Sequence, residues 1–279
     1  MSTEPYADHW IGTEPGEEAI LNDGLQLDAF IAFPADTGSF PAAILMHGCG
    51  GLYKNATDMG DDIVLLAQTL LDMGVAVLIL DSFSARGYES VCNTQGELVH
   101  EVWDRVPDAY AALGWLQGQG FLRSPEDVVA VGLSHGGSAV MASVAREGLP
   151  PGMTPPNAIG FASAVAFYPG CGFYSEFFGS TSSGNYFPNS PLLMKHAGND
   201  GLLAFCQARH QRAGEIAAQE GIENLFFLDP PLGYENADHG FMRCTAQKVV
   251  QGSCTEDDLS ARDLALTDFQ TFLANLFGL

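Results

Sequence analysis

The stretch VVAVGLSHGG at residues 128–137 decides how this chain is read. Residues 128–133 have the length and composition of a buried strand. Gly132-Leu133-Ser134-His135-Gly136 follows, and small residues (Ser138, Ala139, Ala142, Ser143) continue at the spacing of a tightly packed helix. In a strand–turn–helix of this kind the serine sits on a strained turn with its hydroxyl projecting. The flanking glycines fit because a Cβ there collides with the adjoining strand and helix. Ser134 is therefore the candidate nucleophile; the competing reading is an ordinary glycine-rich turn.

Working outward, apolar runs at residues 25–33, 42–46, 75–80, 128–133, 162–168, 191–196 and 225–228 read as strands. Helical patterns fall between them at 61–73, 97–117, 138–146, 203–219 and 259–277. Nearly continuous apolar strands alternating with helices imply a mostly parallel central sheet covered on both faces, an α/β fold. The expected organisation is one domain over residues 1–279, with about 1–24 as an N-terminal extension. Such sheets place their sites at the carboxyl ends of the strands.

Composition narrows the function classes. The chain has 279 residues, 47% of them hydrophobic, enough for a full core. Its 34 acidic and 11 basic residues give a net charge of −23. A surface so negative repels phosphate backbones and anionic lipid, so nucleic-acid and membrane partners are not expected. The first 16 residues show no basic, apolar leader pattern, and no apolar run reaches the roughly 18 residues of a membrane span. The default location is cytoplasmic. Six cysteines have no zinc-like spacing, so no metal is expected. Cys244 and Cys254 are the first disulfide pair to test; for each cysteine a buried thiol is an equal alternative. The oligomeric state is not legible.

A hydroxyl is a poor nucleophile at neutral pH and needs an imidazole base. After a serine on such a turn, the acid and then the base are expected downstream. His135 adjoins the serine and points the wrong way, His196 belongs to a strand and His210 to a helical pattern. His239, in the loop between the last strand and the final helix, stands where the base is needed. Asp200 directly follows the strand at 191–196 and is the expected orienting acid. Asp229 is the fallback, and Asp238 is read as a loop-capping acid. The oxyanion hole needs two backbone N–H groups. One comes from His135, the other from the loop HGCGG at 47–51, with Cys49 first and Gly48 second. His47 is expected to brace that loop.

Taken together, HGCGGLY (47–53), DSFSARG (81–87), GLSHGG (132–137), HAGND (196–200) and DHGFMR (238–243) resemble the dienelactone hydrolase family of α/β-hydrolases. The likeness runs from about Leu25 to the final helix. It implies the α/β-hydrolase fold, no cofactor, and hydrolysis of small-molecule esters or lactones. It also implies that Arg86 and Arg243 hold a substrate carboxylate, as the matching arginines do in the dienelactone-cleaving members; for each, a structural salt bridge in so acidic a protein is the competing reading. Those members have a cysteine nucleophile and a glutamate in the oxyanion loop. Ser134 and Gly48 stand here, which looks more like the carboxylesterase branch.

The aromatic, glycine-rich stretch at 170–188 reads as a lid, a pocket wall or a packed surface loop. With Tyr168, its Phe177 would suit an apolar or aromatic ester. The sequence thus points to a serine ester hydrolase. The alternatives are a prolyl-oligopeptidase-like peptidase and a non-catalytic ligand-binding relative.

Overall fold

The computed structural model describes residues 16–92, 98–146, 159–171 and 186–279. Its strands are β1 (Gly16–Asn22), β2 (Leu25–Ala32), β3 (Ala42–Met46), β4 (Ala76–Asp81), β5 (Val128–Leu133), β6 (Ser163–Phe167), β7 (Leu192–Lys195) and β8 (Phe226–Leu228). They form one eight-stranded sheet in the order β1-β2-β4-β3-β5-β6-β7-β8. β1, β2 and β4 pair antiparallel; the pairs from β4 across to β8 are parallel. The helices are α1 (Asp61–Asp72), α2 (Arg105–Gln117), α3 (His135–Ser143), α4 (Leu203–Glu220), α5 (Ala246–Val250) and α6 (Glu256–Phe277).

The expected strands at 25–33 through 225–228 all form, within a residue or so at each end. Part of the stretch read as an N-terminal extension is a strand of the sheet: β1 pairs with β2 from Gly16–Ile31 to Asn22–Leu25. The helix expected from 97 begins only at Arg105, and turns precede it.

Strand alternation explains the two-faced core. Ile44, Met46, Leu78, Leu80 and Ala130 pack with Val106, Leu113, Val140 and Ile216 of α2, α3 and α4. Ala43, Leu45, Val77, Ile79 and Val131 pack with Leu66, Leu70, Ala265 and Phe269 of α1 and α6. Each fully buried Leu, Ile or Phe contributes roughly 1.5–3 kcal/mol by leaving water.

The register sets where the chain can do chemistry. Met46 lies beside Gly132, Leu133 beside Phe167, and Phe167 beside Lys195. Positions 47, 134, 168 and 196 are therefore the next residues out, side by side at one rim. α6 starts with a capping box: the Thr255 hydroxyl accepts from the Asp258 N–H, and the Asp258 carboxylate accepts from the Thr255 N–H.

Candidate active site

Ser134 follows β5 directly and has φ +51°, a left-handed conformation that non-glycine residues rarely hold. The sharp turn is possible because Gly132 and Gly136 lack side chains. A Cβ at 132 collides with the Gly136 backbone, and one at 136 with the carbonyls of Met46 and His47. The Ser134 N–H donates to the Phe167 carbonyl at 2.9 Å, which fixes the turn to β6.

His239 bridges two residues far from it in sequence. Its Nε2 lies 2.9 Å from Ser134 Oγ and its Nδ1 2.5 Å from Asp200 Oδ2. With Nδ1–H donating to the carboxylate, Nε2 is left to accept the hydroxyl proton. Asp200 is nearly buried, and its Oδ1 accepts from the Leu202 N–H at 3.0 Å. Burial alone raises a carboxyl pKa, but the hydrogen bonds from His239 and Leu202 outweigh it and hold Asp200 below its ordinary value. Asp200 is thus an anion suited to stabilise an imidazolium.

The other acids are engaged elsewhere. Asp229 pairs with the buried Lys195. The Asp238 carboxylate accepts from Asn199, while its N–H donates to Asp258 Oδ1 at 2.7 Å. Asp258, the capping residue of α6, therefore also holds the loop that carries His239. Tyr168, read from sequence as a pocket residue, has φ +40° and packs edge-on against His239, with ring centroids 4.9 Å apart. Burial keeps its phenol protonated well above the ordinary range.

The loop expected to form the oxyanion hole lies beside the serine. A Cβ at Gly48 would stand 3.5 Å from Ser134 Cβ. The buried His47 contacts the Gly48 carbonyl through Nδ1 at 2.8 Å, and its Nε2 accepts from the Ser82 N–H at 3.3 Å. Burial, followed by the charge of Arg105, lowers its pKa, and with Nε2 accepting from Ser82 a neutral ring carries its proton on Nδ1. His135 is the first residue of α3, and a first-turn N–H has no partner within its own helix. Its ring points into the protein, where Arg105 Nη1 donates to Nδ1 at 2.9 Å and Nε2–H meets the Val99 carbonyl at 3.1 Å.

Ser134, His239, Tyr168, Gly48, Cys49 and Arg243 line one cleft of about 680 Å³. Arg243 keeps one firm partner: its Nε donates to Asp62 Oδ2 at 2.7 Å while its side chain stays 54% exposed. Arg86 departs from expectation. Both arms of its fork grip Asp108, at 2.8 and 2.9 Å, and Nη1 also donates to the Ser82 carbonyl at 2.6 Å. The carboxylate it holds is the protein's own, and Arg86 is not among the cleft-lining residues. Phe177 and most of the stretch at 170–188 lie outside the described residues.

All six cysteines pair: Cys49–Cys92, Cys171–Cys206 and Cys244–Cys254. The pair singled out from sequence forms. The other two join residues 43 and 35 positions apart, and nothing local announces them.

Chemically, this geometry can activate a hydroxyl for attack on an electrophilic carbon and hold the resulting charge. No family profile matches the chain, and no curated protein is significantly similar to it. Solved structures are similar. The tabun-phosphoramylated form of Thermogutta terrifontis esterase 2 superposes with a TM-score of 0.62 at 17% identity, over 99% of this chain and 98% of that one. Its propionate-bound form gives 0.62 at 18%, over 99% and 96%. The cyclosarin-phosphonylated form gives 0.63 at 18%, over 94% of each chain.

The chain has the α/β-hydrolase fold.

Several features of the cleft in this α/β-hydrolase fold were not read from sequence. Asp62, in the first turn of α1, holds Arg243, and nothing local in the sequence announces it. Arg105 gave no signal beyond being a rare cation, yet it fixes the His135 ring. Lys248, Thr255 and the Cys244–Cys254 bridge line the cleft from a polar stretch without a motif.

Proposed function

We propose that this chain is a serine hydrolase of carboxylic esters or lactones, with Ser134, His239 and Asp200 as its triad. The observation that carries the reading is His239 within hydrogen-bond reach of both Ser134 and Asp200 in one cleft. Ser134 Oγ attacks the acyl carbon as its proton passes to His239 Nε2. The Asp200 carboxylate holds Nδ1–H and stabilises the imidazolium. The N–H groups of His135 and Cys49, with Gly48 beside them, receive the tetrahedral oxyanion. His239 then protonates the leaving alcohol, and water activated by the same ring clears the acyl-enzyme.

The structural neighbours add support. They are esterases by name, solved after modification by organophosphates and with propionate or butyrate bound. Small esters with short acyl chains are therefore the first substrates to try. The finer reading, a dienelactone hydrolase-like carboxylesterase, rests on the motif resemblance and on Arg243, whose exposed fork faces the cleft that holds Ser134. We assign Arg243, not Arg86, to any anionic group of the substrate. Three disulfides favour an oxidising compartment over the cytoplasmic default.

The test is hydrolysis of p-nitrophenyl esters of graded acyl length, together with labelling by a fluorophosphonate. Wild type is expected to turn over a short-chain ester and to take one label at Ser134. Ser134→Ala should lower kcat by about 10⁴- to 10⁶-fold with an unchanged melting temperature. A wild type inert towards every ester and unlabelled would make the chain a ligand-binding relative. Cleavage of amides but not esters would make it a peptidase.

A further inference from the structure

We infer that the Cys49–Cys92 disulfide is a positioning element of the oxyanion hole, with Cys92 setting the orientation of the Cys49 N–H and hence kcat. The inference rests on the ester-hydrolase reading above. It starts from the poverty of anchors in the loop HGCGG, residues 47–51. Three of its five residues are glycines, which offer the surroundings nothing to hold. Only His47 and Cys49 carry side chains.

What fixes the peptide between Gly48 and Cys49 can be followed atom by atom. Its carbonyl end is held by His47 Nδ1–H and by the Gly51 N–H at 3.2 Å. In a trans peptide N–H and C=O point opposite ways, so holding the Gly48 carbonyl directs the Cys49 N–H the other way. The far side of Cys49 is held by the segment at 88–92. The Cys49 carbonyl accepts from the Val91 N–H at 2.8 Å and from Ser90 Oγ at 3.2 Å. Gly51, with φ +85°, lies so close to the Glu89 carbonyl that a Cβ could not fit. The bridge to Cys92 is the only covalent member of this set, and it lines the cleft with Ser134.

The segment at 88–92 needs support of its own, and Arg86 provides it. The 3₁₀ turn Ser84–Arg86 is locked to α2 through the bidentate Asp108 pair, and the Tyr88 N–H donates back to the Phe83 carbonyl at 3.2 Å. The chain thus leaves an anchored turn at Arg86, runs through 88–92 and is tied at Cys92 to Cys49. Oxyanion donors work because they are already aimed before charge develops. Without the bridge, a glycine-rich loop is left to hydrogen bonds at the Gly48 and Cys49 carbonyls, with no covalent tie.

The experiment compares Cys49→Ala/Cys92→Ala with Cys171→Ala/Cys206→Ala, whose bridge does not line the cleft. Activity is expressed per fluorophosphonate-labelled site, so misfolded protein does not count. The first variant should lose kcat roughly ten- to a hundredfold with KM within about threefold, a fraction of the loss from deleting an oxyanion donor outright. Its inhibition constant for an aryl trifluoromethyl ketone, which forms a tetrahedral adduct, should rise by a similar factor. The second variant should keep kcat per site within about twofold, whatever it loses in melting temperature.

Should the first variant fail to fold, native wild type is treated with a water-soluble phosphine. The reagent gives two electrons to the bridge and water supplies the oxygen and two protons, leaving two thiols and the phosphine oxide; thiol mapping identifies which bridge opened. Opening at Cys49–Cys92 should lower kcat and leave KM, and re-oxidation should restore kcat. Parity in kcat and in ketone affinity after loss of this bridge overturns the inference while leaving the esterase reading intact. A wild type that neither labels nor turns over removes both.

Discussion

Arg86 lies behind the cleft that Ser134 lines, outside its lining, and Arg243 in front, within it; each holds an aspartate. Behind, both arms of the Arg86 fork are spent on Asp108, which is fully buried and also accepts from Asn22 of β1. Arg105 is sealed beside it, over the face of Phe83, with one arm on His135. In front, Arg243 uses only Nε on Asp62, and its side chain is half exposed in the cleft. Ion pairing alone therefore does not tell a structural arginine from a binding one. The difference lies in how much of the fork is left over, and whether it faces solvent at the site.

The sharpest way to break this comparison is Arg86→Ala. It leaves Asp108 charged and buried with the guanidinium gone, and unfolding free energy in urea should fall by about 3–5 kcal/mol. The ratio of kcat/KM for anionic and neutral esters should stay where it is. A stable variant that has lost only its preference for anionic esters would return Arg86 to the substrate.

A second measurement sharpens the account of the sealed side. His135 is pushed down to about 2 by burial and then by the Arg105 charge. With Arg105 donating to Nδ1, a proton there would point at another N–H. The unfolded ring takes its proton near pH 6.5, and the folded one does not until far lower. The unfolded state then binds more protons between those values, so stability falls as pH drops below about 6.5. The slope is about 1.4 kcal/mol per pH unit for this ring. Urea unfolding at pH 6.5 and 5.5 reads it, and His135→Gln should flatten the dependence by one proton. An unchanged slope in that variant would mean the ring already protonates in the fold.

A smaller effect than that of Arg86→Ala is expected at the cleft. Arg243→Ala leaves the buried Asp62 carboxylate without its guanidinium but open to water from the cleft, and should cost about 1–3 kcal/mol. It should raise KM for a carboxylate-bearing ester about three- to tenfold relative to its neutral analogue. Equal KM values for both esters would mean that this fork reads no anion.

These contrasts also explain what the sequence made legible. Ser134, Asp200 and His239 could be placed because backbone features announce them: a glycine-flanked turn after a strand, a polar turn after another, a loop before the last helix. The fates of Arg86 and Arg243 depend on which aspartate the folded chain brings within reach of a long side chain, and no local pattern encodes that. Cys49–Cys92 and Cys171–Cys206 stayed hidden for the same reason, whereas Cys244 and Cys254 are 10 residues apart. β1 is a different case. Asp23 and Gly24, both at positive φ, make the two-residue turn to β2, and an Asp-Gly pair between alternating runs is a hairpin signal that was available. The acids Glu17 and Glu18 masked it.

The double duty of Asp258 has a consequence for how the site is kept in order. The carboxylate that starts the last long helix also grips the backbone next to the imidazole. The imidazole is thus seated only as that helix forms, so the order of the one and the placement of the other rise and fall together.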